Sequence, residues 1–379
     1  NSWFPSANSL LLEYRAKVKN TMCLVATHSS ASKDFFEDYV SRIPTPWLLI
    51  ADEVHGLGSE NQRKALTRNA DYRIGLSATA SRWFDEEGTA FIRDYFRKTV
   101  IEYGLKEAIE AEALTKYSYY PIRIELSPNE LDTYTELTNR IAKLLRHTDI
   151  EDEQLQHLFR RRARLIGSAE NKIERLIELV QQHQLEARMN GEPYLHNLFY
   201  CSPGEHEIVV QRLNQIGLKV HKFVYEVSLK ERSEILKAFE AGHLEGIVAI
   251  KCLDEGVDVP ATKRAYILAS TSNPREFIQR RGRILRKHSG KYTADLYDFV
   301  IGPWGYINRY EDDIAKSLLK RELPRVVEFN SLSETKHTAT KEIYEVCNDY
   351  GIGDLLYLEP WELYKRINKM ERDLSRSGV

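Results

Sequence analysis

The chain has 379 residues, too many for one ordinary domain and enough for two or three. Its composition, 42% apolar and 29% charged, fits a globular protein and argues against a disordered or membrane-embedded one, and no apolar run approaches the roughly 20 residues that span a bilayer. A net charge of −2 rules out a broadly basic binder, so any contact with nucleic acid must come from local basic surface.

In chain order, the first segment holds three short apolar runs, Met22–Thr27, Trp47–Ala51 and Arg73–Ser77, with polar or helical intervals. That pattern predicts parallel strands buried on both faces, and Val100–Tyr103 is a further candidate strand. Ser127-Pro128-Asn129-Glu130 then reads as a capping box opening a helix, with Leu131, Tyr134, Leu137, Ile141 and Leu145 at helical spacing. A second helical stretch, Phe159–His183, is interrupted or recapped at Ser168 and carries the basic cluster Arg160, Arg161, Arg162 and Arg164. Such a cluster is either a solvated helix face or a contact to backbone phosphates.

A second set of strands follows at His196–Ser202, Lys219–Val224, Glu245–Lys251, Lys263–Ser270 and Ala294–Val300. Helices are expected between them at Glu205–Ile216, after the cap Ser228-Leu229-Lys230-Glu231 with a stop at Gly242, and at Asn273–Arg286. Strands alternating with helices predict a doubly wound α/β fold that binds ligands beyond the carboxyl ends of its strands. Asp52, Glu53, Ser77, Ser202 and Asp254 fall at or just past such ends. The remainder, Ile301–Val379, is mixed in charge and expected to be helical. Cys23, Cys201, Cys252 and Cys347 have no paired or metal-type spacing and read as reduced thiols. The start, Asn1-Ser2-Trp3-Phe4, has no basic region leading into an apolar stretch. The expected location is therefore the cytoplasm, nucleoid or nucleus, with no secretion and no membrane partner.

Four motifs carry chemistry. Asp52-Glu53-Val54-His55 ends an apolar strand in two carboxylates, which can hold magnesium and orient a water; acids also end strands by chance. Ser77-Ala78-Thr79 places hydroxyls after the next strand. In Lys251–Pro260, Gly256 permits close backbone approach and Asp258 can accept from a ribose hydroxyl, or the stretch is a solvated loop. Gln279-Arg280-Arg281-Gly282-Arg283-Ile284-Leu285-Arg286 puts Arg283 and Arg286 on one helix face, suited to charge that develops in phosphoryl transfer.

In this order the motifs resemble those of superfamily 2 helicases and translocases, DEVH type, across roughly residues 20–300. The branch it is similar to contains the repair and transcription translocases and the restriction-enzyme motor subunits. The resemblance implies two RecA-like parallel-sheet domains, the first incomplete, that close on one nucleotide. The expected layout is a partial first domain at 1–120, a helical arm at 121–192, a second domain at 193–302 and a helical extension at 303–379. ATP and Mg2+ are the implied cofactors. The metal would be held by Asp52, with Glu53 as catalytic base and Arg283 and Arg286 as arginine fingers. Gln279, Arg280, Gly256 and Asp258 would contact the nucleotide. His55, Ser77 and Thr79 would couple it to the rest of the molecule. Thr27 and Ser202 would meet phosphates of the nucleic acid, expected to be duplex DNA. Ile250 stands where many relatives carry a phosphate-contacting threonine.

The family's phosphate loop, Gly-x-x-x-x-Gly-Lys-Ser/Thr, does not occur; the nearest string is Ser289-Gly290-Lys291-Tyr292-Thr293. The expectation is that an upstream segment or partner chain completes the first sheet, whose strands would otherwise expose edges, and that this chain alone turns over little ATP. A non-hydrolysing nucleic-acid-binding scaffold is the alternative.

Overall fold

The computed structural model describes residues 3–66, 70–78, 85–145, 152–250, 258–269, 274–305 and 311–367. It consists of two compact units, Asn1–Glu102 and Tyr103–Val379.

The first unit contains α1 (Trp3–Arg15), α2 (His28–Ala31), α3 (Asp34–Ser41), β1 (Leu48–Ala51), β2 (Tyr72–Gly75) and α4 (Glu86–Phe96). Strands β1 and β2 pair in parallel, Leu48 with Tyr72 through Ala51 with Gly75. One small core joins α1 and α3 through Leu11, Phe36 and Val40, closed by Tyr39, whose hydroxyl donates to the Ala7 carbonyl at 2.7 Å. Another sets Ala51, Val54 and Leu57 against Ile92 and Tyr95 of α4. The expected strand at Met22–Thr27 does not form. Met22 and Leu24 instead pack, half-buried, on the core of α1 and α3. Val100–Tyr103 forms no strand either, and its apolar side chains are exposed. Leu48, Ile50, Tyr72 and Ile74 of the two-stranded sheet are also exposed, Ile50 by 58%.

The second unit runs α5 (Leu105–Glu110), β3 (Lys116–Ile124), α6 (Pro128–Leu145), α7 (Asp152–Gly167), α8 (Asn171–Met189), β4 (Asn197–Tyr200), α9 (His206–Gln215), β5 (Val220–Phe223), α10 (Leu229–Glu240), β6 (Gly246–Ala249), β7 (Arg264–Ile267), α11 (Pro274–Ile284), β8 (Thr293–Ile301), α12 (Asp312–Asn330) and α13 (Lys336–Asp349). Its six strands form one parallel sheet in the order β3-β8-β7-β4-β6-β5. The caps behave as their chemistry demands. The Ser127 amide donates to Glu130 Oε2 at 3.0 Å, and Ser228 Oγ accepts from the Glu231 amide at 3.2 Å. The helical stretch before β4 breaks between α7 and α8, around Ser168.

A first domain ending at residue 120 would cut through β3, which pairs along its length with β8. The helices after residue 302 share one compact unit with this sheet, running from Tyr103 to Val379. A buried ionic weld holds them there. Asp298 of β8 accepts from Arg325 Nε at 2.9 and 3.1 Å and from the Tyr119 hydroxyl at 3.0 Å. Arg325 Nη2 also donates to Glu322 Oε2 at 2.8 Å, and that carboxylate accepts from the Ile301 amide at 3.3 Å. Burial pushes the Glu322 carboxyl up, but Arg325 and Lys172 outweigh it and the net shift is downward. The turn after α12 then covers the edge strand β3: Ser333 and Thr335 hydroxyls accept from the Tyr119 amide, and the Glu334 amide donates to the Tyr117 carbonyl at 2.9 Å.

On one face of this sheet four neighbouring strands align aromatic rings in register. Tyr120, Tyr297, Tyr266 and Phe199 stack with centroids 4.9–5.0 Å apart. His183 of α8 lies over this ladder, 4.7 Å from the Tyr297 centroid, with Nδ1 2.7 Å from the Tyr266 hydroxyl.

Two outcomes are expected. Arg325→Leu leaves two carboxylates buried without their counter-ion and should cost about 3–5 kcal/mol, read by urea unfolding of the variant. The second concerns pH. Burial, helped by Arg264 and opposed by Glu186, pulls His183 from 6.5 down to about 4. The unfolded chain therefore takes up this proton at higher pH than the folded one, so stability should fall as pH drops through that window. His183→Phe should make the fall shallower, and parallel unfolding profiles for the two proteins would show that another group titrates.

Candidate functional site

In the first unit the acid pair sits where β1 ends. Glu53 adopts the left-handed conformation, φ +46° and ψ 44°, which is costly for a residue with a long side chain. That turn is held from several sides. The Glu53 amide donates to Asp52 Oδ1 at 2.9 Å, the Leu76 amide to the Ala51 carbonyl at 2.8 Å, and the Val54 amide to the Leu76 carbonyl at 2.9 Å. A short 3-10 helix, Val54–Gly58, follows and buries His55. His55 Nδ1 lies 3.0 Å from Ser77 Oγ and 3.2 Å from Glu53 Oε2. A proton on Nδ1 would let the ring bridge the acid pair and the strand-end hydroxyl. The structure thus brings Glu53, His55 and Ser77 together, while Asp52 stays exposed beside them.

One participant was not foreseen. His28 Nε2 is 2.8 Å from the Asp52 carbonyl, and its ring also lies against Gly56, where an added Cβ would come within 3.2 Å of His28 Nδ1. It tethers the start of α2 to the acidic turn. Nothing in the local sequence marks it, because its partner lies 24 residues away. The neighbouring Thr27 is exposed and caps α2, with Oγ1 accepting from the Ser30 amide at 3.2 Å.

In the second unit the arginine run divides by face. Arg283, on α11, places Nη1 3.4 Å from Asp258 Oδ1. Arg286 lies just past the helix end, where its residue bridges to Leu114, and its guanidinium bonds Asp258 Oδ2 closely. Both expected fingers therefore meet one carboxylate. Asp258, expected at a ribose hydroxyl, is their counter-ion. Gln279 is half-buried on α11.

Arg280 departs from its expected contact with nucleotide. It is buried, with Nη1 donating to the Ala269 carbonyl at 3.3 Å, Nη2 3.6 Å from Glu276, and its guanidinium over the Tyr200 ring at 5.1 Å. Its place is inside the fold. Ser202, expected at a phosphate, is buried too. Its Oγ faces Gly167, and it hydrogen-bonds the Glu205 carboxyl, which burial nonetheless raises. Ile250 packs half-buried on the main core. Lys291, in the string closest to a phosphate loop, is buried and closes the end of α11. Its Nζ donates to the carbonyls of Ile284, Arg286 (3.0 Å) and Pro260 (3.1 Å). Thr79 and Gly256 lie outside the described residues, as does Asp254.

The donor set suits magnesium. The exposed carboxylate of Asp52 is enough for an ion that takes most of its other ligands from water and phosphate.

Comparison with known proteins gives one domain match and several sequence relatives. Residues 171–288 match the helicase conserved C-terminal domain. The DNA 3'-5' translocase XPB2 of Sulfurisphaera tokodaii is 29% identical over 250 residues, 63% of this chain and 56% of that protein. UvrABC system protein B of Oceanobacillus iheyensis is 25% identical over 275 residues, 69% of this chain and 36% of that protein. The chain thus spans about half the length of the first relative and about a third of the second. Among solved structures, the Pyrococcus furiosus Hef helicase domain aligns with a TM-score of 0.43 at 15% identity, over 78% of this chain and 84% of that one. The Type ISP restriction-modification enzyme LlaBIII, bound to DNA, aligns with 0.47 at 13% identity, over 82% and 22%. The matched helicase domain and the sequence relatives, with the ordered motifs at Asp52, Ser77, Asp258 and Arg283, support a likeness to the superfamily 2 helicases and translocases.

Proposed function

We propose that this chain is the motor part of an ATP-driven translocase or helicase that acts on duplex DNA. The observation that carries the reading is the convergence of Arg283 and Arg286 on Asp258. A helix and its first residues beyond present two guanidiniums to one anion, which is the arrangement a transferring phosphoryl group needs. The relative named as a DNA 3'-5' translocase supports DNA as the track.

In this reading Asp52 holds Mg2+, which would neutralise phosphate charge when bound. Glu53 takes the proton of the attacking water. Its left-handed backbone fixes where the carboxylate points, and the bond between His55 and Ser77 keeps that turn in place. Arg283 and Arg286 leave Asp258 for the more highly charged phosphate oxygens. Stabilising charge only as it develops is what raises the rate. Thr27 is a candidate contact to the DNA backbone. For Ser202 and Arg280 the structure favours internal roles, so no ligand contact is proposed for either.

The test is steady-state ATP hydrolysis by the full-length gene product, with and without duplex DNA. Turnover should rise with DNA. Glu53→Gln should lower kcat by about 10²–10⁴-fold, and Arg286→Ala by about 10³-fold, with folding intact in both. DNA binding without turnover in the unaltered protein would instead establish the non-hydrolysing scaffold. Turnover indifferent to both substitutions would remove these residues from the chemistry.

A further inference from the structure

Among the described residues, the side-chain partners of Arg281 lie outside the matched helicase region, and no nucleotide role is expected of it. Its side chain is 3% exposed. Nη2 donates to Glu328 Oε1 at 2.5 Å, Nη1 to the Glu328 carbonyl at 2.5 Å, and Nη1 lies 3.4 Å from the Tyr117 hydroxyl. Tyr117 in turn donates to the Phe329 carbonyl at 2.8 Å, and the guanidinium sits 5.9–6.0 Å from the Phe329 and Tyr117 ring centres. Tyr117 belongs to β3, and Glu328 and Phe329 to α12. All three lie outside residues 171–288, the stretch that matches the helicase domain.

Helical geometry gives this contact a consequence. Arg281 and Arg283 are two residues apart, so they leave α11 about 200° apart around its axis. Holding one on the buried face sets the angle at which the other leaves the opposite face. Apolar contacts such as Phe277 on Phe329, with centroids 5.6 Å apart, bury the helix but tolerate rotation. Two directed hydrogen bonds from one planar guanidinium to one residue do not.

We propose that Arg281 is a positioning residue: its double hold on Glu328 fixes the rotation of α11 and thereby places Arg283 and Arg286, so that α12 and β3 set the geometry of the arginine fingers. What the fingers then do rests on the phosphoryl-transfer reading above; the anchoring does not.

The test compares the full-length protein with Arg281→Met/Glu328→Met, Arg281→Lys and Glu328→Gln. It reads thermal midpoint, amide hydrogen exchange of α11, and kcat and KM for ATP. Replacing both members of a buried pair with apolar groups tends to preserve stability, so the double variant should keep a midpoint close to that of the unaltered protein. Exchange across α11 should nonetheless rise about tenfold, and kcat should fall about tenfold with KM unchanged. Arg281→Lys, which keeps the charge, should recover part of both. If the double variant does not fold, Glu328→Gln, which keeps the carbonyl hold but drops the carboxylate, should show the same loss at smaller size. Unchanged α11 exchange in the folded variants overturns the anchoring. Loosened α11 with unaltered kcat overturns the positioning role. Absence of turnover in the unaltered protein would sink the functional reading alone, since exchange still decides whether Arg281 anchors the helix.

Discussion

The second unit depends on a guanidinium held between two carboxylates in the dark of the fold. Arg325 ties Asp298 of β8 to Glu322 of its own helix, and Tyr119 of β3 supplies a further donor. Each of these charges would be expensive to bury alone, by several kcal/mol. Together, with an added backbone amide on Glu322, they make the position of α12 obligatory. An apolar helix could slide or roll on the sheet; this one cannot without stranding a charge. Three residues along α12, Glu328 inherits that fixed position and passes it to Arg281. The path from the sheet core to the arginine helix is therefore a succession of directed bonds, with apolar burial filling the space around them.

The first unit uses a different device. Its small cores cannot hold a strained turn by burial alone, so the acidic turn is held by hydrogen bonds from three directions. Strand β2 continues past its end to bond Ala51 and Val54, His28 reaches the Asp52 carbonyl, and His55 meets Ser77. A left-handed glutamate costs on the order of 1–3 kcal/mol and persists only where the surroundings over-determine it. That the strained residue is the second member of the acid pair, and not one of its neighbours, is what the chemistry of a positioned base would require.

Much of this was legible in the sequence. Strands β4 to β7 each fall within their expected runs, and β8 covers Ala294–Val300 with one residue more at each end, because a parallel strand covered on both faces shows a hydrophobic signal. The caps at Ser127 and Ser228 were legible because their chemistry is local. Strand β3 was not. Lys116–Ile124 mixes tyrosines, Pro121 and charges, and it is an edge strand whose burial only alternates, a weaker pattern that proline obscures further. Within the arginine run, three-residue spacing pairs Arg283 with Arg286, but it carries no information about what each face will meet. Arg280 thus read as a ligand contact although it is buried against the Tyr200 ring. His28 and Glu328 were invisible for the same reason: each acts on a residue distant in sequence, and a single chain records no trace of that pairing.

Magnitudes separate the arginine that anchors the helix from the two proposed as fingers. Arg281 and Glu328 are 3% and 14% exposed, so parting them would leave charge in a low-dielectric interior. Arg286 and Asp258 are 49% and 39% exposed, in the range where an ion pair contributes about 0–1 kcal/mol. Such a bond is easily traded for a better anion. Asp258 keeps both guanidiniums gathered and directed, and its bond to the half-exposed Arg286 costs little to leave, whereas Arg283 is only 14% exposed. A phosphate with more charge and more acceptor oxygens can displace it without first reorganising the helix, because Arg281 has already set the helix angle from the other side. The proposed role needs firm attachment on one face and an exchangeable contact on the other, and the run from Arg280 to Arg286 carries both kinds of bond within seven residues.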